Sequence, residues 1–475
     1  MKRTFAFLIL ILCLSAFLLI SCNGSDTTTT ESATTYTITY ELDGGTNSEN
    51  NPSGYNSGVS LELGVPTKEG YMFAGWYTDP ELTNFVTEIK KDATGDITLY
   101  AKWLDIETYL EFELVDGSYK VVGGCNPIPY MFIPSTYKGL PVTCIGESAF
   151  KSYVYLQYVY IPDSVTVINH SAFKNCQSLK EIRLSNNLTK ISYSTFYSSG
   201  LESIVIPDKV EYIDLESFGD CKNLSYVKLS EELTTIKILA FRGCEVLESI
   251  VIPSKVTDIG TQAFYNCFLL KNIIVDDEST TYKSMEGVLY SKDGKTLIYY
   301  PEGKTETTYT IPEGTEIIAH DAFEANSRLV NVSFPNTVKQ IQGAFGDCTA
   351  LESIVIPDSV TSIGAYGFYG CTSLKSITLS KNIDVIHVYA FGECTSLESV
   401  VIPNGVKEID SYVFYECTSL KSVVIPESVT VAEYDIFALC TSLEKVYCEV
   451  ESKPDSWNGG WARNVKEVIW GYKGE

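Results

Sequence analysis

The chain has 475 residues and carries 60 acidic against 35 basic side chains, a net charge of −25. A body so acidic repels nucleic acid and anionic lipid, which leaves neither as a partner. With 32 tyrosines, 21 phenylalanines and only 4 methionines, the composition fits an all-β surface protein.

Lys2 and Arg3 lead into a 16-residue apolar run from Phe5 to Ile20. Such a run falls short of the roughly 18 to 20 residues that span a bilayer, so residues 1–21 read as a secretory signal. Leu19-Ile20-Ser21-Cys22 resembles a bacterial lipobox, which implies cleavage before Cys22, diacylglycerol on its sulfur and membrane contact through that anchor alone. The stretch that completes residues 22–35, NGSDTTTTESATT, has no large apolar side chain and reads as a flexible tether.

Residues 36–104 alternate apolar and polar positions between turn-rich stretches, the mark of short strands. Asp43-Gly44-Gly45, the run from Gly70 to Tyr77 and Leu99-Tyr100-Ala101-Lys102-Trp103 resemble the Listeria–Bacteroides repeat, also found as the B repeat of internalins. The resemblance implies a small β-grasp domain that serves as a spacer or interaction module. In so small a domain Trp76 and Trp103 are expected to be core. Residues 105–129 follow as a hairpin turning at Asp116-Gly117, read as a lid over the first unit of what comes next.

From 130 to 450 the chain repeats itself. Leu351 to Ser373 reads LESIVIPDSVTSIGAYGFYGCTS, and similar blocks start at Leu374, Leu397 and Leu420. One phenylalanine anchors each copy: Phe150, Phe173, Phe196, Phe218, Phe241 and Phe264, then Phe323, Phe345, Phe368, Phe391, Phe414 and Phe437. A fixed period of this length is the signature of a stacked array whose units cannot fold alone. Within a copy, Leu-x-x-Ile-x-Ile predicts a short half-buried strand ended by proline, as at Pro162, Pro207, Pro253, Pro335, Pro357, Pro403 and Pro426, and Val-x-x-Ile predicts a second. Together with Ala-Phe and Cys-x-x-Leu, these motifs resemble the BspA-like leucine-rich repeats of bacterial surface proteins. That resemblance implies a mainly β, right-handed solenoid whose first strands line a concave face.

Phe264 and Phe323 stand 59 residues apart, so an insertion is expected at about 276–310, with a hairpin at Asp293-Gly294. Its Asp276-Asp277-Glu278 lacks calcium-ligand spacing and reads as a solvated loop. Residues 451–475 carry Trp457, Trp461 and Trp470 and are expected to form the C-terminal lid. Nine cysteines, among them Cys176, Cys221 and Cys371, sit three residues after a repeat phenylalanine. Stacking would bring them within disulfide range. Because Ser199 and Asn326 fill the same slot, small hydrogen-bonding side chains and free buried thiols are expected instead.

No chemistry is legible. His170, His320 and His387 have no motif around them, and no C-x-x-C pair, phosphate loop or nucleophile elbow occurs, so no catalytic residue, cofactor or metal is expected. What remains is a surface. The outward residues of the first strands form one column: Tyr160, Arg183, Val205, Lys228, Val251, Ile274, then Ser333, Val355, Thr378, Val401, Val424 and Tyr447. Six of the twelve are aliphatic where solvent is expected, which suits either a protein-binding stripe or simple strand propensity. Tyr153, Tyr155, Tyr158 and Tyr160 cluster at its start, with Tyr158 and Tyr160 the expected hot spot. Tyr366, Tyr389 and Tyr412 form a ladder on another side. The resulting expectation is a monomeric, lipid-anchored adhesion protein of the bacterial cell surface that binds extracellular proteins. The alternative is a glycan-binding or envelope-scaffolding module.

Overall fold

Three-residue strands hold this chain together because each one is copied by its neighbour. In the computed structural model, which describes residues 34–124 and 128–474, the strand Ser353–Val355 turns Ile354 inward at 2% exposure and Val355 outward at 64%. It pairs in parallel with Ser376–Thr378, and the ladder continues through Ser399–Val401, Ser422–Ile425 and Lys445–Cys448. Pro357 ends the strand, since it has no N–H to give the ladder. Its carbonyl accepts the Val360 N–H at 3.0 Å, a turn repeated at Pro162 and Val165, Pro207 and Val210, and Pro403 and Val406. The turn delivers the chain to a two-residue strand such as Ser362–Ile363, which joins a second parallel sheet. The expected leader, Cys22, the tether to residue 33 and Cys125 lie outside the described residues.

The third side of each coil is a turn around the phenylalanine. Residues two before and two after it adopt left-handed backbone, as Ser171 (φ 57°) and Asn175 (φ 61°) do around Phe173, and this reversal points the ring inward. The rings stack one per coil, with centroids 5.1 to 5.9 Å apart from Phe150 to Phe264. From Phe323 to Phe437 the spacing is 4.7 to 5.8 Å. Both ranges sit close to the distance between paired strands.

The cysteine slot has a specific task. Cys176 Sγ donates to the Phe150 carbonyl of the coil before at 3.0 Å, and Cys221 to Phe196, Cys371 to Phe345 and Cys417 to Phe391 do the same at 3.0 to 3.2 Å. Each thiol therefore adds a second hydrogen bond to a buried carbonyl that already accepts an N–H of its own turn. The cysteines among the described residues are free, and all but Cys144 are buried.

At the insertion the array changes hands. Tyr282–Met285, Val288–Ser291 and Thr296–Tyr299 form an antiparallel meander whose last strand pairs in parallel with Ile317–Ile318. The segment therefore extends the second sheet instead of leaving it as a simple hairpin. Tyr299 Oη donates to the Phe264 carbonyl at 2.9 Å, taking the place of the absent cysteine. Tyr300 stacks on Phe323 at 5.1 Å, taking the place of the absent phenylalanine. Two apolar cores meet here, Tyr299 closing one and Tyr300 opening the other.

Lids cover both ends. The antiparallel pair Leu110–Val115 and Ser118–Gly124 turns at Asp116 and Gly117, both left-handed, and its second strand pairs in parallel with Leu140–Ile145 at the start of the second sheet. At the far end Trp461 meets Phe437 edge-on at 6.3 Å and packs against Trp457 at 4.9 Å. Ahead of the solenoid lies a small β domain with strand order Gly54–Asn56, Thr35–Glu41, Ile97–Asp105, Tyr71–Tyr77, Phe85–Val86. Its Trp76 is buried and donates to the Gly64 carbonyl at 3.0 Å, while half-buried Trp103 donates to that of Leu42 at 2.9 Å.

Candidate binding surface

Register places the expected column on one face. Tyr160 pairs with Arg183, Val205 with Lys228, Val251 with Ile274, Val355 with Thr378 and Val401 with Val424. Val205 and Val251 are each more than half exposed, Val401 is 76% exposed and Val424 is half-buried. Beside this column runs a second of Ser353, Ser376, Ser399 and Ser422, so in the C-terminal coils an aliphatic stripe is flanked by hydroxyls.

The expected tyrosine hot spot is not open. Tyr158 is only 7% exposed, because the small β domain sits on it. Phe85 lies flat on Tyr130 at 3.7 Å and 5°, and it also meets Tyr158 at 5.7 Å. Phe73 packs edge-on to Phe132 at 4.8 Å. Arg183, expected as an outward residue of the binding column, pairs with Glu62 of the β domain at 3.2 Å while its guanidinium lies over the Tyr160 ring at 5.3 Å. The sequence does carry a signal for this contact. Tyr130, Phe132, Tyr158 and Tyr160 are outward aromatics at both positions of the first two strands, where later coils place at most one, as at Tyr226 and Tyr447, and so much outward aromatic area calls for a cover.

Where the β domain lifts away from the sheet it leaves a cleft of about 460 Å³. Val86, Phe132, Tyr160, Val205 and Pro207 line it, with Glu62, Glu88 and Glu181 around them. Partial burial raises the pKa of Glu181, and the neighbouring Glu88 and Glu62 raise it further.

On another side, Tyr366, Tyr389 and Tyr412 stack at 5.2 Å per step. All three are left-handed, with φ of 56 to 60°, in a slot that takes Ser148, Ser171 and Ser194 in the first coils. The ring stacking offsets the backbone cost that a bulky residue meets there.

No reactive constellation accompanies these surfaces. Each histidine meets one carboxylate at the surface: His170 with Glu147, His320 with Asp321 and His387 with Asp410. Burial pushes the thiols of Cys176 and Cys221 up to about 12, which keeps them protonated and poor nucleophiles. Among the described residues, no group of three or more His, Cys, Asp or Glu is arranged to hold a metal ion, and no helix is long and apolar enough to cross a membrane.

Known proteins share this architecture. The model of the BspA type leucine rich repeat region matches residues 143–273, 302–343 and 342–453, and that of the Listeria-Bacteroides repeat domain matches 36–102. A leucine rich cell surface protein of Faecalibacterium prausnitzii is 29% identical over 77% of this chain and 97% of its own, with a TM-score of 0.53. The pneumococcal vaccine antigen PcpA, 23% identical over 76% of this chain and 96% of its own, shares the fold with a TM-score of 0.57. Two Evansella cellulosilytica chains named as membrane proteins are 41% identical over 85 residues and 37% over 84. This chain spans only 10% and 12% of their lengths. The first of these is thus named as a cell surface protein and the Evansella pair as membrane proteins, and leucine-rich repeat surface families are generally non-catalytic. The chain belongs to the BspA-type leucine-rich repeat family, with a Listeria–Bacteroides repeat domain ahead of its solenoid.

Proposed function

We propose that this protein is a non-catalytic, surface-displayed interaction protein, held to the membrane by acylated Cys22, that binds an extracellular partner protein through its first-strand face. The small β domain would be of the β-grasp type, the solenoid right-handed and the whole a monomer. One observation carries the reading: Val205, Val251, Val355 and Val401 stand exposed at the same outward position of their strands, among serine and lysine neighbours. Substituting Val251→Lys and Val401→Lys tests it against a panel of purified extracellular matrix and bacterial surface proteins. Binding by the wild-type chain that falls at least tenfold in the double variant supports the reading. Binding that survives both changes, or none to any panel member, contradicts it.

The tyrosine ladder favours a second reading, in which Tyr366, Tyr389 and Tyr412 present ring edges and hydroxyls to a glycan. Glycan-array binding abolished by Tyr366→Ala and unaffected by the valine changes would establish it instead.

A further inference from the structure

We infer that the cleft between the small β domain and the first-strand sheet is a socket for a lysine or arginine side chain of an extended partner segment, whose apolar residues continue along Val205 and Val251. This rests on the partner-binding reading of the first-strand face and adds a site and a chemistry to it.

Shape and charge lead to that occupant together. The walls are apolar, from Phe132, Tyr160, Val205 and Pro207, so a long aliphatic stem can lie along them. Three carboxylates, Glu62, Glu88 and Glu181, stand around the cleft, and one cation answers them. Arg183 is that cation, and it is spent on Glu62. Among the described residues no cation pairs with Glu88 or Glu181, and the mutual repulsion of these carboxylates is relieved when a positive charge arrives between them.

Arg183 itself displays the pose. Its guanidinium lies over the Tyr160 ring and touches a carboxylate of the opposite domain. A second guanidinium or ammonium repeats that arrangement two residues back on the same strand, where Glu181 pairs in the ladder with Tyr158 and Glu88 stands opposite. Beyond the mouth the sheet offers Val205, Lys228, Val251 and Ile274 in successive coils, continuous with the interdomain contact. A segment that places a cation in the cleft and then advances across the coils meets mainly aliphatic positions. Selection against acidic segments follows from the same charges.

The test uses the full chain and two synthetic peptides, acetyl-Val-Lys-Val-Lys-Val-amide and its twin with both lysines acetylated. The expected result is at least tenfold tighter binding of the lysine peptide, a preference that shrinks with added salt and falls below threefold in the Glu88→Gln, Glu181→Gln double variant. Both substitutions are at exposed positions, so folding is retained, and an unchanged circular dichroism spectrum and melting temperature verify it. Equal affinity for the two peptides overturns the socket, as does a preference that survives the double variant or no measurable binding. If Val251→Lys and Val401→Lys abolish capture of a panel protein while Glu88→Gln and Glu181→Gln leave it intact, the cation socket fails and the binding face stands. If neither pair of changes matters, the face itself is wrong. Tight binding of a neutral oligosaccharide, lost on Tyr160→Ala and indifferent to Glu181→Gln, would assign the cleft to sugar and overturn the inference as well.

Discussion

A regular coil and the insertion between the two cores solve the same problem differently. In the coil from Leu351 to Ser373, the buried Phe345 carbonyl before it finds Cys371, and Phe368 stacks on rings to either side. At the insertion no identical neighbour exists, and Tyr299 and Tyr300 stand in for it. The substitution is incomplete. Tyr300 Oη, one oxygen of Glu302, Thr315 Oγ1 and the Asn326 amide nitrogen are buried without a hydrogen-bond partner in or next to the insertion, against Ser164 Oγ, Ser359 Oγ and Asp435 Oδ1 in the other described coils. Repetition therefore satisfies most buried polar groups of the coils, and unpaired ones are densest where the period breaks.

That contrast can be broken from the regular side first. Phe218→Ala empties the middle of a ring stack and should cost about 3 to 5 kcal/mol by urea unfolding. Hydrogen exchange should quicken mainly in the N-terminal core that holds Phe218, and equal loosening on both sides of the insertion would contradict two separate cores.

The insertion should respond to pH. Glu302 is 4% exposed; burial raises its pKa to about 8, opposed by the Asn266 N–H at 2.8 Å and the Tyr299 hydroxyl and reinforced by Glu324. Glu324, raised to about 7, lies beside Asp321 and Gln262. A carboxyl whose folded pKa is raised binds its proton more tightly when folded, so its protonated form favours the fold. That contribution is complete below the ordinary value near 4.5 and is lost as pH rises through about 8, by up to ~1.4 kcal/mol per pH unit. Protection around residues 262–326, taken relative to the intrinsic base-catalysed exchange rate at each pH, should fall between pH 5 and 8, and Glu302→Gln should flatten the trend. A slope unchanged in that variant would place the titration elsewhere.

Smaller effects sharpen the account of the cysteine slot. Cys371→Val keeps the bulk but takes the thiol from the Phe345 carbonyl, leaving it only the Cys348 N–H at 3.3 Å, for an expected loss of about 0.5 to 1.5 kcal/mol, whereas Cys371→Ser should recover most of it. An equal loss in both would mean that packing, and not the hydrogen bond, sets the slot. Smallest of all, Val251→Lys and Val401→Lys should move stability by less than about 0.5 kcal/mol each, because both side chains already face solvent.

The fold was legible because a period of 22 or 23 residues writes each core position many times over. Val205, Val251 and Val401 could be placed on one outward column for the same reason. What escaped was everything that happens once. No repeat announces that Phe85 will land on Tyr130, so Tyr158 looked open when it is covered, and nothing in the column showed that Glu62 would hold Arg183. The cleft escaped for the same reason, since residues between 62 and 88 form one wall and residues between 132 and 207 the other. Tyr299 and Tyr300 lay in plain view, yet only the stack they complete tells what they do.

Native-state hydrogen exchange of the full chain in rising urea tests most directly whether like neighbours hold the fold together and the insertion divides it. The account predicts two blocks of amides, roughly 128–275 and 311–450, each opening in one cooperative step at its own urea concentration, with residues between them exchanging first. A single step for all coils, or a graded loss from the ends that passes through the insertion without pause, would contradict it.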